Sequence, residues 1–359
     1  MTNKALVKIG FVVLSLLLSG CVPQNIIDEV SLMHNIGFDR EKNLLKGFVV
    51  YPDYQQGNES SLISALATNP SNLREELGFK SQYKVEMGQL RVIIFGNKIS
   101  KYGLAQILDT IVKDPQVGLV RIVISNDSPS KILKKTLNER PLYLMNLIDQ
   151  SMKNGGIPES NKHIIYDQYF GTGIDMSFPI LKVDSSGKIK IDGMGIFKED
   201  KLKYKISTKE ALILKLMTDR NKVGVYNLKL SKKGHSSEIG VRFLYGKDKI
   251  KIINVNNQDE AKINLELNVE LSGLPDWMTV KNEKDFKTIK HELQKSISRD
   301  AEKLLKNLQA QNVDPIGFGR LHKTNDTNWS EDNFYKNIYP GMRFNVTSKI
   351  IIRQAGVGK

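Results

Sequence analysis

Apolar residues in the first half of the chain form short runs that alternate with helical patterns. Residues 90–95 and 119–125 are rich in β-branched side chains and predict buried strands, whereas residues 104–112 place their apolar side chains on one helical face. Helices beginning near Ser130 and over residues 142–153 follow. This order of strands and helices predicts an α/β domain with some parallel strand pairing.

The segment before these elements has a less regular pattern. Residues 26–39 predict a short helix or arm that leads into a strand over residues 44–51, which Pro52 ends. Residues 60–67 and 71–77 each begin with a serine that can cap a helix, and they predict two short helices.

After Phe178 the apolar pattern changes to one with period two. Residues 178–183 and 188–197 predict two strands joined by a turn at 184–187, and Ser207 with Glu210 has the spacing of a helix capping box. Four alternating runs predict an antiparallel sheet, at residues 223–230, 239–245, 249–255 and 262–271. A last strand is predicted over residues 342–353.

One long helix is predicted over residues 284–312, because apolar residues recur there every three or four positions from Phe286 to Leu308. Asp314-Pro315 ends the pattern. A solvated helix of this length gains little, so we expect it to lie across a sheet. The fold class is therefore α+β (mixed α/β): an N-terminal α/β domain, then a largely antiparallel sheet with one long packing helix, in several small subdomains. The predicted domains are residues 21–187 and 188–359, with a further division near residue 260 left open.

The first twenty residues have the features of a signal peptide that is removed from the mature protein. Lys4 and Lys8 precede an apolar run that is shorter than the roughly 20 residues a membrane-spanning helix needs. Leu18-Ser19-Gly20-Cys21 then resembles a bacterial lipobox, which predicts an S-diacylglycerol and an N-acyl chain on Cys21. The alternative is an ordinary signal peptide followed by a buried cysteine. The lipobox is favoured because Cys21 is the only cysteine of the chain.

The composition excludes several kinds of active site. With 1 Cys the chain can form neither an internal disulfide nor a thiolate metal cluster, and its 5 His show no metal-ligand spacing. No nucleophile or phosphate-loop motif occurs, and Gly171-Thr172-Gly173 is explained more simply by a bend or close packing. We therefore expect no catalytic residues, no metal, no cofactor and no enzymatic activity.

The net charge of +14 raises the question of an anionic partner. Export across the membrane argues against nucleic acid. The lysine-rich runs near residues 198–215 and 281–306 are interpreted as solvated faces, and the alternative is a surface that meets lipid headgroups or an acidic partner.

A dense group of turn-forming and aromatic residues follows the long helix directly. Its members are Asp314, Pro315, Gly317, Phe318 and Gly319, with Trp329 ten residues after Gly319. Proline fixes φ and glycine permits bends, so the aromatic side chains can hold this segment against the helix end. We interpret the segment as an architectural anchor, and a ligand pocket is the alternative.

These motifs, in this order, resemble the C-subunit lipoproteins of spore germinant receptors, the Ger(x)C family. The resemblance begins with the lipobox at Cys21 and with residues 28–39. It continues through residues 191–202, which include Gly193 and Phe197, to Glu210. It ends with residues 314–319, Trp329 and the closing strand, so that it covers essentially the whole chain. Val22 departs from the family pattern, in which many members have Trp after the lipid-bearing cysteine.

The resemblance implies a mixed α/β fold and a function in nutrient-triggered germination without enzymatic activity or cofactor. The chain would be held by membrane lipid through Cys21 on the outer face of the cell membrane, which is the inner membrane of the spore. Its partners would be the integral-membrane A and B subunits of the receptor. Two rival interpretations are a solute-binding lipoprotein of a transporter, which usually has two similar α/β lobes, and a cell-wall lytic enzyme, which needs a placed acid or metal set.

Overall fold

The computed structural model describes residues 30–53, 59–81, 84–114, 117–140, 142–232 and 234–355. The predicted signal peptide and Cys21 lie outside this part of the chain.

The described residues up to Ile206 form ten strands and six helices. The strands are β1 (Val30–Leu32), β2 (Asn35–Glu41), β3 (Leu44–Asp53), β4 (Glu59–Ala67), β5 (Lys84–Glu86), β6 (Val92–Gly96), β7 (Arg121–Ser125), β8 (Ser177–Val183), β9 (Ile189–Lys198) and β10 (Lys201–Ile206). The helices between them are α1 (Pro70–Gly78), α2 (Asn97–Tyr102), α3 (Ala105–Lys113), α4 (Pro129–Thr136), α5 (Tyr143–Lys153) and α6 (Lys162–Phe170).

Eight of these strands build a mixed sheet in the order β10-β9-β8-β7-β6-β2-β3-β4, whereas β1 and β5 pair in parallel as a separate two-stranded sheet. Strands β2, β6, β7 and β8 are parallel to one another, whereas the flanking strands pair antiparallel. β6 and β7 are buried along their whole length because apolar side chains pack against both of their faces, which explains their continuous apolar sequences. The predicted parallel pairing is confirmed.

The remaining residues form a second sheet and the long helix. The elements are α7 (Thr208–Thr218), β11 (Gly224–Lys232), β12 (His235–Val255), β13 (Gln258–Ser272), α8 (Glu283–Ala310), α9 (Phe318–Lys323) and β14 (Arg343–Ala355). The sheet order is β11-β12-β13-β14, antiparallel except for the parallel pair of β13 and β14. Helix α8, about 42 Å long at 1.5 Å per residue, buries one apolar stripe in the core of this half. The mixed α and β architecture is as expected.

The two halves share one hydrophobic core. One face of the eight-stranded sheet, with Val92, Ile94 and Val123, belongs to the same buried cluster as Leu265 of β13 and Leu293 of α8. The opposite face, with Ile93 and Phe95, packs under a separate cluster that includes α1 and α3. The C-terminal half is therefore packed against one face of the N-terminal sheet.

Several local predictions were wrong. Residues 60–67 form strand β4 and not a helix, because they pair along their whole length with β3. The described part of 26–39 forms β1 and β2 and not a helix or arm. Residues 239–245 and 249–255 belong to one strand, β12, because β13 pairs with it continuously across residues 246–248.

The predicted domain boundary after residue 187 falls in the turn between β8 and β9. These two strands pair with each other inside the eight-stranded sheet, and β10 then extends that sheet to Ile206. The sheet thus crosses the boundary, and the division into domains stays a prediction.

Candidate functional site

The loop after helix α8 is organised around a fully buried carboxylate. Asp314 has no exposed surface, and its two carboxylate oxygens accept hydrogen bonds from the backbone N–H groups of Gly317 and Gly319, both at 2.9 Å. These N–H groups lie at the start of α9, where no preceding turn supplies acceptors. Gly317 has φ of 86°, a conformation that favours glycine. We call residues 314–319 the Asp314 loop.

A second buried carboxylate joins this loop to the N-terminal half. The backbone N–H of Asp314 donates to Asp175 Oδ2 at 2.6 Å, and the N–H of Asp175 donates to the carbonyl oxygen of Asp314 at 2.9 Å. Asp175 lies between α6 and β8, 139 positions earlier in the chain. This reciprocal pair fixes the end of α8 to the edge of the eight-stranded sheet.

One lysine neutralises part of the negative charge at this junction. Lys198, the last residue of β9, places Nζ 3.3 Å from both carboxylate oxygens of Asp175 and 3.0 Å from the centre of the Tyr335 ring. The Tyr335 hydroxyl donates to Asp175 Oδ2 at 3.4 Å. Lys198 therefore bridges the carboxylate and the aromatic ring in a site that is largely shielded from water.

The burial of these groups changes their protonation. Desolvation raises the pKa of Asp314 to about 7, with a further increase from the neighbouring Asp175 charge, while the backbone N–H groups of the loop oppose the increase. Burial also raises the pKa of Asp175, and the Lys198 ammonium opposes that shift. Burial raises the pKa of Tyr335 as well, so its hydroxyl remains a donor.

The glycines of the 171–173 segment allow α9 to approach the N-terminal half. A Cβ on Gly173, whose φ is 73°, would meet the backbone N of Arg320 at 2.5 Å. The Gly173 carbonyl accepts from the Arg320 N–H at 2.8 Å, and its own N–H donates to Glu331 Oε1 at 2.8 Å. The Arg320 guanidinium pairs with Asp167 at 2.7 Å. The interpretation as close packing is confirmed.

Aromatic side chains fill the space behind the Asp314 loop. Phe318 is fully buried, with its ring centre 5.4 Å from Phe344 and 6.4 Å from Tyr339. The Tyr339 hydroxyl donates to the carbonyl of Val313 at 2.8 Å. Trp329 is only partly buried, and its indole Nε1 has no hydrogen-bond partner among the described residues. Phe318 thus lies in the core that α8 also enters, as expected. The expected burial of Trp329 is wrong, because this side chain lies only at the margin of that core.

The mid-chain motif residues have separate local roles. Gly193, with φ of 115°, has no room for a Cβ, which would lie 2.0 Å from the carbonyl oxygen of Ile206. Phe197 is buried against Phe178, with 4.7 Å between ring centres. Glu210 completes the predicted capping box with Ser207 at the start of α7.

The mid-chain and C-terminal motifs nevertheless meet at Asp175. The N–H of Phe197 donates to the carbonyl of Met176, and the next residue, Lys198, pairs with Asp175. Asp175 could not be predicted as a partner of this loop, because an isolated aspartate has no local sequence pattern. The sequence signal that could have indicated Asp175 is its position just after the glycines of residues 171–173 and just before a buried strand.

The junction joins chain segments through side chains that contact one another. Asp314 is inaccessible to solvent. Within the described residues, no group of three or more His, Cys, Asp or Glu side chains is placed to hold a metal ion. A cleft of about 660 Å³ lies beside Asp175, with Lys198, Glu331 and Tyr335 in its wall, but each of these three side chains is already engaged in the contacts above. Across the described residues, no helix is both long and apolar enough to cross a bilayer.

Comparison with known proteins identifies similar chains. A family model for the spore germination protein N-terminal domain matches residues 23–183, and a model named spore germination B3/GerAC like, C-terminal, matches residues 192–356. Spore germination protein GerQC of Bacillus cereus is 28% identical over 355 residues, which cover 97% of this chain and 98% of that protein. The putative spore germination protein YfkR of Bacillus subtilis (strain 168) is 19% identical over 387 residues, which cover 95% and 94% of the two chains.

A solved structure has a similar fold. The crystal structure of the GerBC protein aligns with a TM-score of 0.54 and 16% sequence identity, covering 89% of this chain and 96% of that one. At this identity the likeness concerns the fold alone.

Proposed function

The chain belongs to the Ger(x)C family of spore germination proteins, and we propose that it is the lipid-anchored C subunit of a nutrient germinant receptor. The observation that carries the proposal is that both family models match, one on each half, over residues 23–183 and 192–356. In this role the protein is needed for nutrient-triggered germination and assembles with the integral-membrane A and B subunits.

We place the protein on the outer face of the cell membrane, the inner membrane of the spore. The support is the lipobox, which ends at the only cysteine of the chain. Each buried CH₂ of an attached lipid contributes about 0.8 kcal/mol to membrane affinity, so a diacylglycerol with a third acyl chain holds a protein of this size stably.

The proposed role is non-catalytic. The Asp314 loop, which the C-terminal motif singles out, joins α8 and α9 to the N-terminal half, and the Asp314 carboxylate is buried and hydrogen-bonded. The two halves also differ, one with an eight-stranded mixed sheet and one with four strands. A solute-binding lipoprotein with two similar lobes is disfavoured on that ground.

Two measurements on spore membranes test the proposal. The mature N-terminus is analysed by mass spectrometry, where we expect a diacylated and N-acylated Cys21, and Cys21→Ala should move the protein out of the membrane fraction. The tagged wild-type chain is then purified in mild detergent, where we expect two integral-membrane proteins in comparable amounts. An unmodified thiol at Cys21 would contradict the anchor, and purification of the chain without membrane partners would contradict the receptor role.

A further inference from the structure

A groove runs along the open edge of the four-stranded sheet. Strand β11 ends the sheet order, and within the described part of the chain no strand pairs with its outer side. The groove measures about 700 Å³, and its walls are the β11 edge, the start of α7 and one side of α8. We call it the β11 groove.

The lining shows that the groove lies against the backbone of β11. Five consecutive residues, 225–229, line it, although alternate side chains of a strand point to opposite faces. Val225, Asn227 and Lys229 are exposed, whereas Tyr226 and Leu228 are buried in the core. Because the groove contacts residues on both faces of β11, it runs along the edge of this strand. At a strand edge the backbone N–H and C=O groups can pair with another strand.

The opposite wall is positively charged. Lys295 and Arg299 of α8 line the groove, and with Lys284 and Lys306 they form a row of exposed cations on one face of this helix. Lys229 adds a cation from the strand side. Two carboxylates, Glu238 and Glu292, also line the groove, so cations remain in excess.

Asp300, a carboxylate behind this wall, already has hydrogen-bond donors. Asp300 accepts hydrogen bonds from Lys209 and from the buried Tyr226 hydroxyl, each at 2.7 Å. Burial alone would raise the pKa of Asp300, but these two donors hold it below its usual range. Arg299 also places Nε 3.5 Å from Asp300 and donates to Ser296 Oγ at 3.1 Å, so its guanidinium is only partly available. Lys295 is exposed and forms no ion pair among the described residues, so it is the α8 cation most open to a partner.

We propose that the β11 groove binds an extended acidic polypeptide segment, which adds to the sheet as a strand beside β11. Backbone pairing would supply affinity, and carboxylates at alternate positions facing Lys295 and Arg299 would supply selectivity. The unpaired backbone N–H and C=O groups of the β11 edge match another strand and not lipid headgroups, so the charges and the strand edge together favour a polypeptide. Only the placement of this segment on another receptor subunit rests on the proposed function.

The test uses the full chain in non-ionic detergent and three labelled octapeptides. (Val-Glu)4 can form a strand and is acidic. (Pro-Glu)4 has the same charge but lacks the N–H of every second residue, and its prolines favour the polyproline II conformation over a strand. (Val-Lys)4 has the opposite charge. We expect saturable binding of (Val-Glu)4 by fluorescence anisotropy and about tenfold or greater weakening for the other two peptides. Bound (Val-Glu)4 should slow amide hydrogen exchange in residues 224–231.

Charge-reversed variants locate the binding. Lys295→Glu/Arg299→Glu should weaken (Val-Glu)4 binding by about tenfold or more, whereas the matched control Lys287→Glu/Lys303→Glu, on the same helix but outside the groove and outside that row of cations, should change it by less than about threefold. All four side chains are exposed, so melting temperatures should be unchanged.

Three results would overturn the proposal: no saturable binding of (Val-Glu)4 up to about 1 mM, equal binding of (Pro-Glu)4, or equal losses in the two variants. Binding of phosphatidylglycerol vesicles that is abolished by Lys295→Glu/Arg299→Glu, without peptide binding, would instead assign the surface to lipid. The peptide test uses purified components, so a negative result would not contradict the germination role. That role is tested separately by the measurements on spore membranes.

Discussion

Replacing Phe318 by alanine tests whether the Asp314 loop is an anchor or a ligand pocket. The Phe318 side chain is fully buried and contacts the rings of Tyr339 and Phe344. Truncation of such a side chain typically costs about 3–5 kcal/mol, because the apolar surface loses its contacts and the cavity relaxes only partly. That is a large share of a total free energy of unfolding of roughly 5–15 kcal/mol.

The loss should be visible as a lower melting temperature. Since the two halves share one core, the folded unit exceeds 250 residues and its melting temperature shifts by about 1.5 °C for each kcal/mol, so Phe318→Ala should melt about 4–8 °C below the wild type. Phe79→Ala is the matched control, since the Phe79 side chain is 84% exposed. That change should alter the free energy of unfolding by no more than about 0.5 kcal/mol.

The assay combines calorimetric melting of the purified chain with its level in spore membranes and the nutrient dose response of the spores. For an anchor, Phe318→Ala should lower both the melting temperature and the level, and germination should fail because the receptor complex is lost. A normal melting temperature and level together with a shifted dose response would refute the reasoning and would identify the loop as a binding site.

Three further predictions follow from the same junction. Gly173→Ala should destabilise the protein more than Gly234→Ala, because both glycines have positive φ but only at Gly173 would the new Cβ collide with backbone; equal melting temperatures for the two variants would contradict the tight contact. Asp314→Asn should change the pH dependence of stability. The pKa of Asp314 is about 7 in the folded state and 3.8 in the unfolded state, so the carboxyl stabilises the fold at low pH. As pH rises from 4 to 8, the free energy of unfolding of the wild type should fall by up to about 4 kcal/mol from this group, and that of the variant should not. The same pH dependence of the free energy of unfolding in both proteins would refute the raised pKa. Calorimetric titration of the full chain with amino acids and sugars should give no saturable heat at micromolar concentration, since the described polar side chains at the junction are engaged with one another; a clear saturable signal would show a nutrient site in this subunit.

Local patterns predicted the elements that are fixed by their own residues. Helix α8 was predicted from its apolar stripe, and α7 from the capping box of Ser207 and Glu210, because both signals act within a few turns. The strand β4 was mistaken for a helix because residues 60–67 have no strict alternation, and pairing with β3 decides their conformation. Its strand form thus depends on contacts that are distant along the chain.

The functional junction could be predicted only in part. The Asp314 loop was visible as a Pro-Gly segment after a helix, since its turn chemistry is local. Its main partner, Asp175, was not visible, because the two residues meet only when the C-terminal half packs on the N-terminal sheet. Helix α6, which supplies Asp167 to Arg320, was missed because its apolar residues do not concentrate on one face.

The most direct test of the central claim is the germination of spores that lack this chain. Loss of optical density is followed after addition of single amino acids, sugars and nucleosides over a range of concentrations, in the null strain and in the strain complemented with the wild-type gene. The account predicts that the null spores lose the response to at least one nutrient and that the wild-type gene restores it. Null spores with a dose response identical to the wild type for every nutrient tested would contradict the assignment as a germinant receptor subunit.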